Sequence, residues 1–347
     1  MQQKEVDQQK LFSRLTALWV ISEAFAGGML HALKLPFTGI VVSGFAVCII
    51  VVVGRFLGSR QVLKATIIVC IFKLALSPHS PPTAYLAVAF QGCAGAVLIR
   101  KNSTSIFPPL VFGLLALTES ACQRLFLIWL LYGQSLWTAT NEFIDKTLGG
   151  WRHSNYAGAI TIAYVLLHVI AGITVGIYAA NISRKIVLWE KDSTLYLRLT
   201  ETNSNISTTG KKKLPLIFII WVILSLGYLV MLMKGELFSN HYVLLRMLIR
   251  SMLIAGLWFF IFRPVFQKYF SLYLNRKKNR YADEIREIEL ILPFAKNIFA
   301  DSVRNARRQA GLANKLNRFW KLLFSNFLFA DLSKSSLTTQ QPRAVSE

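Results

Sequence analysis

Nine ionisable or amide side chains stand inside stretches of the sequence that are otherwise apolar. They are Glu23, Lys73, Gln91, Glu119, Gln123, Arg124, His168, Arg246 and Arg250. Such groups are costly at membrane depth, so they usually pair with one another or form a site. Arg124 lies about 140° around the helix from Glu119, because successive helical residues are rotated by about 100°. We therefore expect Arg124 to find its partner on another helix, in water or in a ligand.

These polar groups favour the binding of a small polar molecule over catalysis. The sequence contains no G-x-x-x-x-G-K-[ST] phosphate loop, no H-E-x-x-H zinc motif and no G-x-S-x-G nucleophile motif. The five histidines and four cysteines show no spacing typical of a metal site. We therefore expect a protein that is not an enzyme and that has no cofactor or bound metal.

Two segments add candidate contacts for a substrate. The segment "SPHSPPTAYLAVAFQG" (77–92) is a proline-rich corner that leads into a helix with Tyr85 and Gln91. The segment "QSLWTATNEFIDKTLGGWRHSNY" (134–156) contributes Trp151, His153 and Asn155. Its aromatic residues either anchor the chain at a membrane interface or stack on a ligand, and the sequence leaves both interpretations open.

The composition indicates a membrane protein. Hydrophobic residues make up 54% of the chain and charged residues 16%, whereas a soluble domain has about 25% charged residues. Apolar runs near the ~20 residues that a bilayer requires lie at roughly 15–33, 37–54, 61–77, 82–99, 105–133, 157–182, 214–233 and 242–262. The sequence therefore predicts an all-α polytopic membrane protein.

The distribution of positive charge predicts the orientation. The chain has 39 Lys and Arg against 17 Asp and Glu, and with a cytoplasmic N-terminus most basic residues fall on the cytoplasmic side. We expect a multi-pass protein of the inner (plasma) membrane with both termini in the cytoplasm and segments 77–81 and 134–156 outside. The basic charge suits anionic lipid headgroups, and no nucleic-acid-binding motif accompanies it.

The chain divides into five predicted parts. Residues 1–185 form a six-span membrane unit that binds substrate, and residues 186–213 form a cytoplasmic linker. Residues 214–264 form two further transmembrane helices, and 265–332 form basic amphipathic helices that break near Pro293. These helices either lie on the inner leaflet or dock a cytoplasmic partner. Residues 333–347 are expected to be disordered.

Small residues recur at every fourth position in two spans. Such faces let helices approach closely, either within one bundle or against a second membrane subunit. They comprise Ala24, Gly28 and Ala32 in the first span, and Gly172, Gly176 and Ala180 in the sixth.

Parts of residues 12–185 resemble the substrate-binding S components of energy-coupling-factor (ECF) transporters. The segment "YVLLHVIAGITVGIYAANISRKI" resembles their final helix, and "KATIIVCIFKLALSPHSPPTAYLAVAFQGCAGAVLIRK" resembles their third and fourth helices. The segment "SEAFAGGMLHALKLPFTG" is similar to their first helix and the following loop. The tail segment "EIELILPFAKNIFADSVRNARRQAGL" is more faintly similar to the coupling helices of ECF T components.

The resemblance implies a six-helix unit that holds a vitamin or precursor in a pocket open to the outside. Its partners would be a transmembrane T component and cytoplasmic ATPase subunits. Docking to them would involve Ala24, Gly28 and Ala32 on the first helix and Arg304, Arg307 and Arg308 in the tail. The spacing on the first helix matches the family, but the residues lie further along the helix than in S components.

The sequence thus predicts an uptake component powered by separate ATPases. Its expected substrate-binding residues are Tyr85, Gln91, Glu119, Gln123, Arg124, Trp151, His153, Asn155 and His168. The alternative is a membrane anchor that does not transport and whose basic tail recruits a partner protein.

Overall fold

The structure is a computed structural model that describes residues 2–26, 38–76, 80, 82–147, 155–189 and 243–329. Within these residues it is a bundle of α-helices without a strand. The helices are α1 (Gln2–Val20, continued by a π-helical turn at Ile21–Ala26), α2 (Thr38–Leu57), α3 (Ser59–Leu76), α4 (Pro82–Leu98), α5 (Phe107–Tyr132), α6 (Ser135–Thr147), α7 (Tyr156–Trp189), α8 (Val243–Leu257, continued by a π-helical turn at Trp258–Phe262), α9 (Arg263–Arg280), α10 (Ala282–Arg307) and α11 (Leu312–Phe329).

Four helical segments in the described part of the chain are long and apolar enough to cross a membrane. They are Thr38–Leu57, Phe107–Tyr132, Tyr156–Ile186 and Ile249–Arg280. The prediction of an all-α protein with helices long and apolar enough to span a membrane is therefore confirmed for the described residues. Helix α4 is apolar but shorter, and the expected span at 214–233 lies outside the described residues.

Helix α2 is the centre of the bundle. Helices α1, α3, α4, α5 and α7 all pack against it, and its residues from Ala46 to Val53 are fully or almost fully buried. A helix that is apolar on every side is stable only when it is enclosed in this way or by lipid. The surrounding helices are therefore arranged around α2 as a common core.

Helices α5 and α7 make the closest helix contact. Gly172 lies against the backbone of Gly113, where an added Cβ atom would be 2.7 Å from the Gly113 carbonyl oxygen. Gly176 lies equally close to the backbone of Pro109 and Leu110. The predicted small-residue face of the sixth span thus packs helices within the bundle, which was one of its two interpretations.

Arg55 fastens one end of the bundle. Its Nη1 donates hydrogen bonds to the Ala180 carbonyl (3.1 Å) and to Ser183 Oγ (2.6 Å), and its Nη2 donates to the Ser105 carbonyl. The residue is 6% exposed. This basic side chain, which the sequence placed among the charges that set orientation, therefore joins α2 to α7 and to the loop before α5.

The C-terminal helices pack on the bundle rather than stand apart from it. Helices α10 and α11 form a hairpin that contacts α1, and α11 also contacts α7. Phe45 of α2 packs against Phe299, Phe319 and Trp320 of the hairpin, with a ring-centroid distance of 4.6 Å to Trp320. The expected break at Pro293 is wrong, because α10 continues through it.

Polar contacts hold the same hairpin to α1 and α3. Ser13 Oγ donates to Glu287 (2.7 Å), and Lys64 pairs with Glu284. Arg14 Nη1 donates to the Leu328 carbonyl at 2.7 Å. The apolar side of α10, from Ile285 to Ala306, is buried, and its charged side faces outward.

Candidate functional site

A polar cavity of about 280 Å³ opens among α1 to α5, at the end of the bundle opposite Arg55. Polar side chains reach it from all five helices. It is lined by Glu23, Thr38, Gly39, Val42, Ser43, Lys73, Thr83, Ala84, Ala87, Gln91, Ser120, Gln123, Arg124 and Leu127.

An ion pair forms part of the cavity wall. Lys73 Nζ lies 2.6 Å from Glu23 Oε2, and the two side chains are 8% and 4% exposed. Glu23 belongs to the π-helical turn at Ile21–Ala26, and such turns are frequent at functional sites. Because the two charges cancel, the pair contributes polarity to the cavity but no net charge.

Gln91 places an unused hydrogen-bond acceptor in this cavity. Its Nε2 donates to Ser43 Oγ at 3.1 Å, and the residue is 2% exposed. Its Oε1 is buried and has no hydrogen-bond partner in the described part of the chain. A buried acceptor without a donor is unfavourable by about 1–3 kcal/mol, so this oxygen would gain from a hydrogen-bond donor that reached it through a small movement of the Gln91 side chain.

Arg124 supplies positive charge at the cavity. Its neighbour Gln123 is already engaged, since Gln123 Nε2 donates to the Thr83 carbonyl at 2.9 Å. Arg124 lines the cavity, is exposed and forms no ion pair with any described acidic residue. Its guanidinium can therefore hold a carboxylate or phosphate by two parallel hydrogen bonds.

A second, apolar cavity of about 240 Å³ lies between α5, α6 and α7. Arg124 lines this cavity as well as the polar one. Its wall consists of Arg124, Leu125, Ile128, Leu136, Trp137, Thr140, Ala157, Ile160, Thr161 and Tyr164.

Three of the predicted substrate-binding residues meet in the polar cavity. Gln91, Gln123 and Arg124 come from α4 and α5 and face the same space. Tyr85 does not line it. Its ring instead packs on Phe270 and Phe266 of α9, at centroid distances of 5.0 and 6.3 Å.

The remaining predicted residues have other placements. His168 is buried, and its Nδ1 lies 2.9 Å from the Tyr164 carbonyl. Asn155 caps α7, since its Oδ1 accepts a hydrogen bond from the Gly158 backbone N–H (2.9 Å). Glu119 lines neither cavity, and its Oε2 is buried without a partner among the described residues. Trp151 and His153 lie outside the described residues.

The predicted docking residues are only partly described. Gly28, Ala32 and the side chain of Ala24 lie outside the described part. Arg304, Arg307 and Arg308 are exposed near the turn between α10 and α11, and Arg304 is 3.7 Å from Asp301. These three cations are therefore accessible to a partner.

The sequence indicated that Glu23 and Lys73 were unusual but did not place them in the site. Their signal was the presence of single, opposite charges in the first and third apolar segments. Ser43, Thr38 and Ser120 gave no signal, because hydroxyl groups are common in apolar helices, where they bond to the preceding turn.

A metal site in the part of the chain that the structure describes would require several ligating side chains close together. No three His, Cys, Asp or Glu side chains are grouped there in a way that suits a metal ion. No family model, curated protein or solved structure matches this chain. The likeness to ECF S components therefore rests on the sequence segments quoted above.

Proposed function

We propose that this protein is a membrane uptake component that captures a small, negatively charged metabolite in the polar cavity. The observation that carries the proposal is the pairing of a buried, unpartnered Gln91 acceptor with the Arg124 cation in one cavity. Ligand sites typically combine a mostly enclosed space with a few convergent polar groups. A vitamin or vitamin precursor that has both an acidic group for Arg124 and a hydroxyl or N–H donor for Gln91 Oε1 has this chemistry.

The charge of the cavity supports an anionic ligand. Glu23 and Lys73 neutralise each other at 2.6 Å, which leaves Arg124 as the lining residue whose charge is not balanced within the cavity. A ligand anion would balance it. A neutral or cationic ligand would leave the guanidinium dependent on water alone.

The direction of capture follows from the distribution of basic residues. The end of the bundle opposite the cavity carries Arg55, Arg60, Arg100, Lys101 and Arg184, which the positive-inside rule assigns to the cytoplasm. The polar cavity would then face outward. Inward release driven by ATP would need another protein, because the chain has no phosphate loop through which to hydrolyse ATP itself. We assign that role to separate ATPase subunits of an ECF-type transporter.

Ligand binding to the full-length chain in lipid nanodiscs tests the proposal. Native mass spectrometry of the purified protein should detect an acidic small molecule that copurifies. Q91A should weaken retention of that molecule roughly 5- to 30-fold, as expected for a lost hydrogen bond of about 1–2 kcal/mol. R124Q should weaken it further. R100Q is the matched control, since Arg100 is exposed in the loop after α4. Unchanged retention in both Q91A and R124Q would exclude the polar cavity as the site.

The exposed cations of the tail favour one alternative function. Arg304, Arg307 and Arg308 lie together near the α10–α11 turn, so the protein would serve as an anchor that recruits an acidic partner. Deletion of residues 265–347 is a poor test, because α9, α10 and α11 pack on the bundle. Replacement of the three arginines by glutamine separates the functions. Ligand retention survives it if the protein is an uptake component, whereas the anchor would lose its activity.

A further inference from the structure

The polar and the apolar cavity share one residue, Arg124. Arg124 lines both spaces, with Gln91 and Ser43 in the wall of the polar cavity and Trp137 and Tyr164 in the wall of the apolar cavity. A group bound to the guanidinium therefore lies at the boundary between a polar and an apolar compartment. A molecule held there can extend into both.

The size of the two cavities indicates that they act together. Each measures about 240 or 280 Å³, which is less than the roughly 300–1,000 Å³ typical of a ligand pocket. Combined, they fall inside that range. One ligand that extends through both spaces thus accounts for their adjacent positions.

The apolar cavity has few groups that could bind a polar ligand. The hydroxyl of Thr140 donates to the Leu136 carbonyl (2.7 Å), and that of Thr161 donates to the Ala157 carbonyl (2.8 Å). Both donors are thus used within their own helices. The rest of the wall apart from Arg124 is mainly aliphatic and aromatic, so only an apolar group would gain from entering.

We infer that the ligand is an amphiphilic organic acid. Its anionic group binds Arg124 at the polar cavity, and its apolar chain or ring fills the apolar cavity between α5, α6 and α7. This inference rests on the proposed function and specifies the substrate class. It differs from a purely polar metabolite, which would occupy the polar cavity alone.

A homologous series of straight-chain carboxylates, from butanoate to decanoate, tests the inference. Binding to the full chain in nanodiscs is measured by equilibrium dialysis, with empty nanodiscs subtracted. Affinity should rise about fourfold for each added methylene, since each buried CH₂ contributes about 0.8 kcal/mol, until the cavity is full. The alcohols of the same lengths should bind more weakly, because they lack the charge that Arg124 recognises.

Two substitutions in the wall of the apolar cavity should change the dependence of affinity on chain length in opposite ways. T161F fills the cavity and should abolish the increase with chain length while short acids still bind. T174F is its control, because Thr174 lies on the same helix, is exposed and also donates to the carbonyl four residues earlier, that of Ile170. W137A enlarges the cavity and should shift the maximum affinity to longer acids, which tests the site even if T161F does not fold.

The outcomes distinguish this inference from the proposed function. If short acids bind through Arg124 but affinity does not rise with chain length, the amphiphile is excluded and the uptake proposal stands. If no acid shows dependence on Arg124, both are wrong. If alcohols bind as well as acids, the apolar cavity holds lipid chains and the inference is wrong.

Discussion

Lys73 of α3 and Glu23 of α1 form an ion pair of 2.6 Å inside the bundle. The pair links the first helix to the third and also forms part of the wall of the polar cavity. The two roles of the pair can be tested separately. Removal of one of the two charges lowers the stability of the fold, whereas a change in the shape of the cavity alters ligand binding.

We predict that K73M destabilises the protein by roughly 3–5 kcal/mol, because the carboxylate of Glu23 would remain buried without a cation. The double variant E23L/K73M should recover most of this loss, since a buried pair can be replaced by apolar residues at little cost. Unfolding of the detergent-solubilised protein measures the free energy of each variant in a double-mutant cycle. Additive effects of the two substitutions would contradict the pairing.

The close contact of α5 and α7 predicts that G172L prevents normal folding. A side chain at this position meets the backbone of Gly113 and Leu114, which cannot move as a side chain can. The destabilisation should therefore exceed the roughly 1–3 kcal/mol typical of overpacked cores. Fluorescence-detected size-exclusion chromatography should show loss of the monodisperse peak. A163L, at an exposed position of the same helix, should retain that peak.

The hydrogen bonds of Arg55 predict that its replacement by methionine and by lysine will lower the stability of the protein by different amounts. R55M removes the three hydrogen bonds that Arg55 donates and should destabilise the protein by at least roughly 1.5–3 kcal/mol, the value of a hydrogen bond to a charged group. R55K should restore only part of this, because an ammonium cannot reproduce the planar geometry of the guanidinium. Thermal unfolding in detergent measures both. R60M changes an exposed arginine nearby and should have little effect. Equal stability of R55M and R60M would contradict the stabilising role of the Arg55 hydrogen bonds.

The packing of the hairpin on the bundle predicts a change in protease sensitivity. I288D places a charge in the buried face of α10 and should release the hairpin, since a buried isoleucine contributes roughly 2–5 kcal/mol. Cleavage near Gly311, in the exposed turn between α10 and α11, should then be at least about tenfold faster. L290D is the control, because Leu290 is 68% exposed. Similar cleavage of the two variants would contradict the packing.

Most helices could be predicted from the apolar runs, because each helix has to bury or embed its own surface. The expected span at 82–99 corresponds to Pro82–Leu98, and that at 105–133 corresponds to Phe107–Tyr132. The span expected to end near 262 instead continues as α9 to Arg280. Pro264 lies in the first turn of α9, where its missing N–H group is tolerated.

The site was less predictable than the helices, because it depends on contacts between distant segments. The isolated polar residues indicated Gln91, Gln123 and Arg124, which do share a cavity. The position of Tyr85 depends on α9, whose packing on α4 the local sequence does not encode. The apolar cavity gave no signal, since residues such as Ile128 and Ile160 are typical of any membrane helix.

The bonds of Ser13 to Glu287 in α10 and of Arg14 to Leu328 in α11 join the first helix to the C-terminal hairpin. Ribosomes add about 5–20 residues per second, so α1 emerges on the order of tens of seconds before the helices that cover it. During this interval its future interface is exposed, and assembly of the bundle can finish only after α10 and α11 have been synthesised. Premature termination would therefore damage the N-terminal part of the protein, and a membrane insertase or chaperone that shields nascent α1 would raise the yield of folded protein.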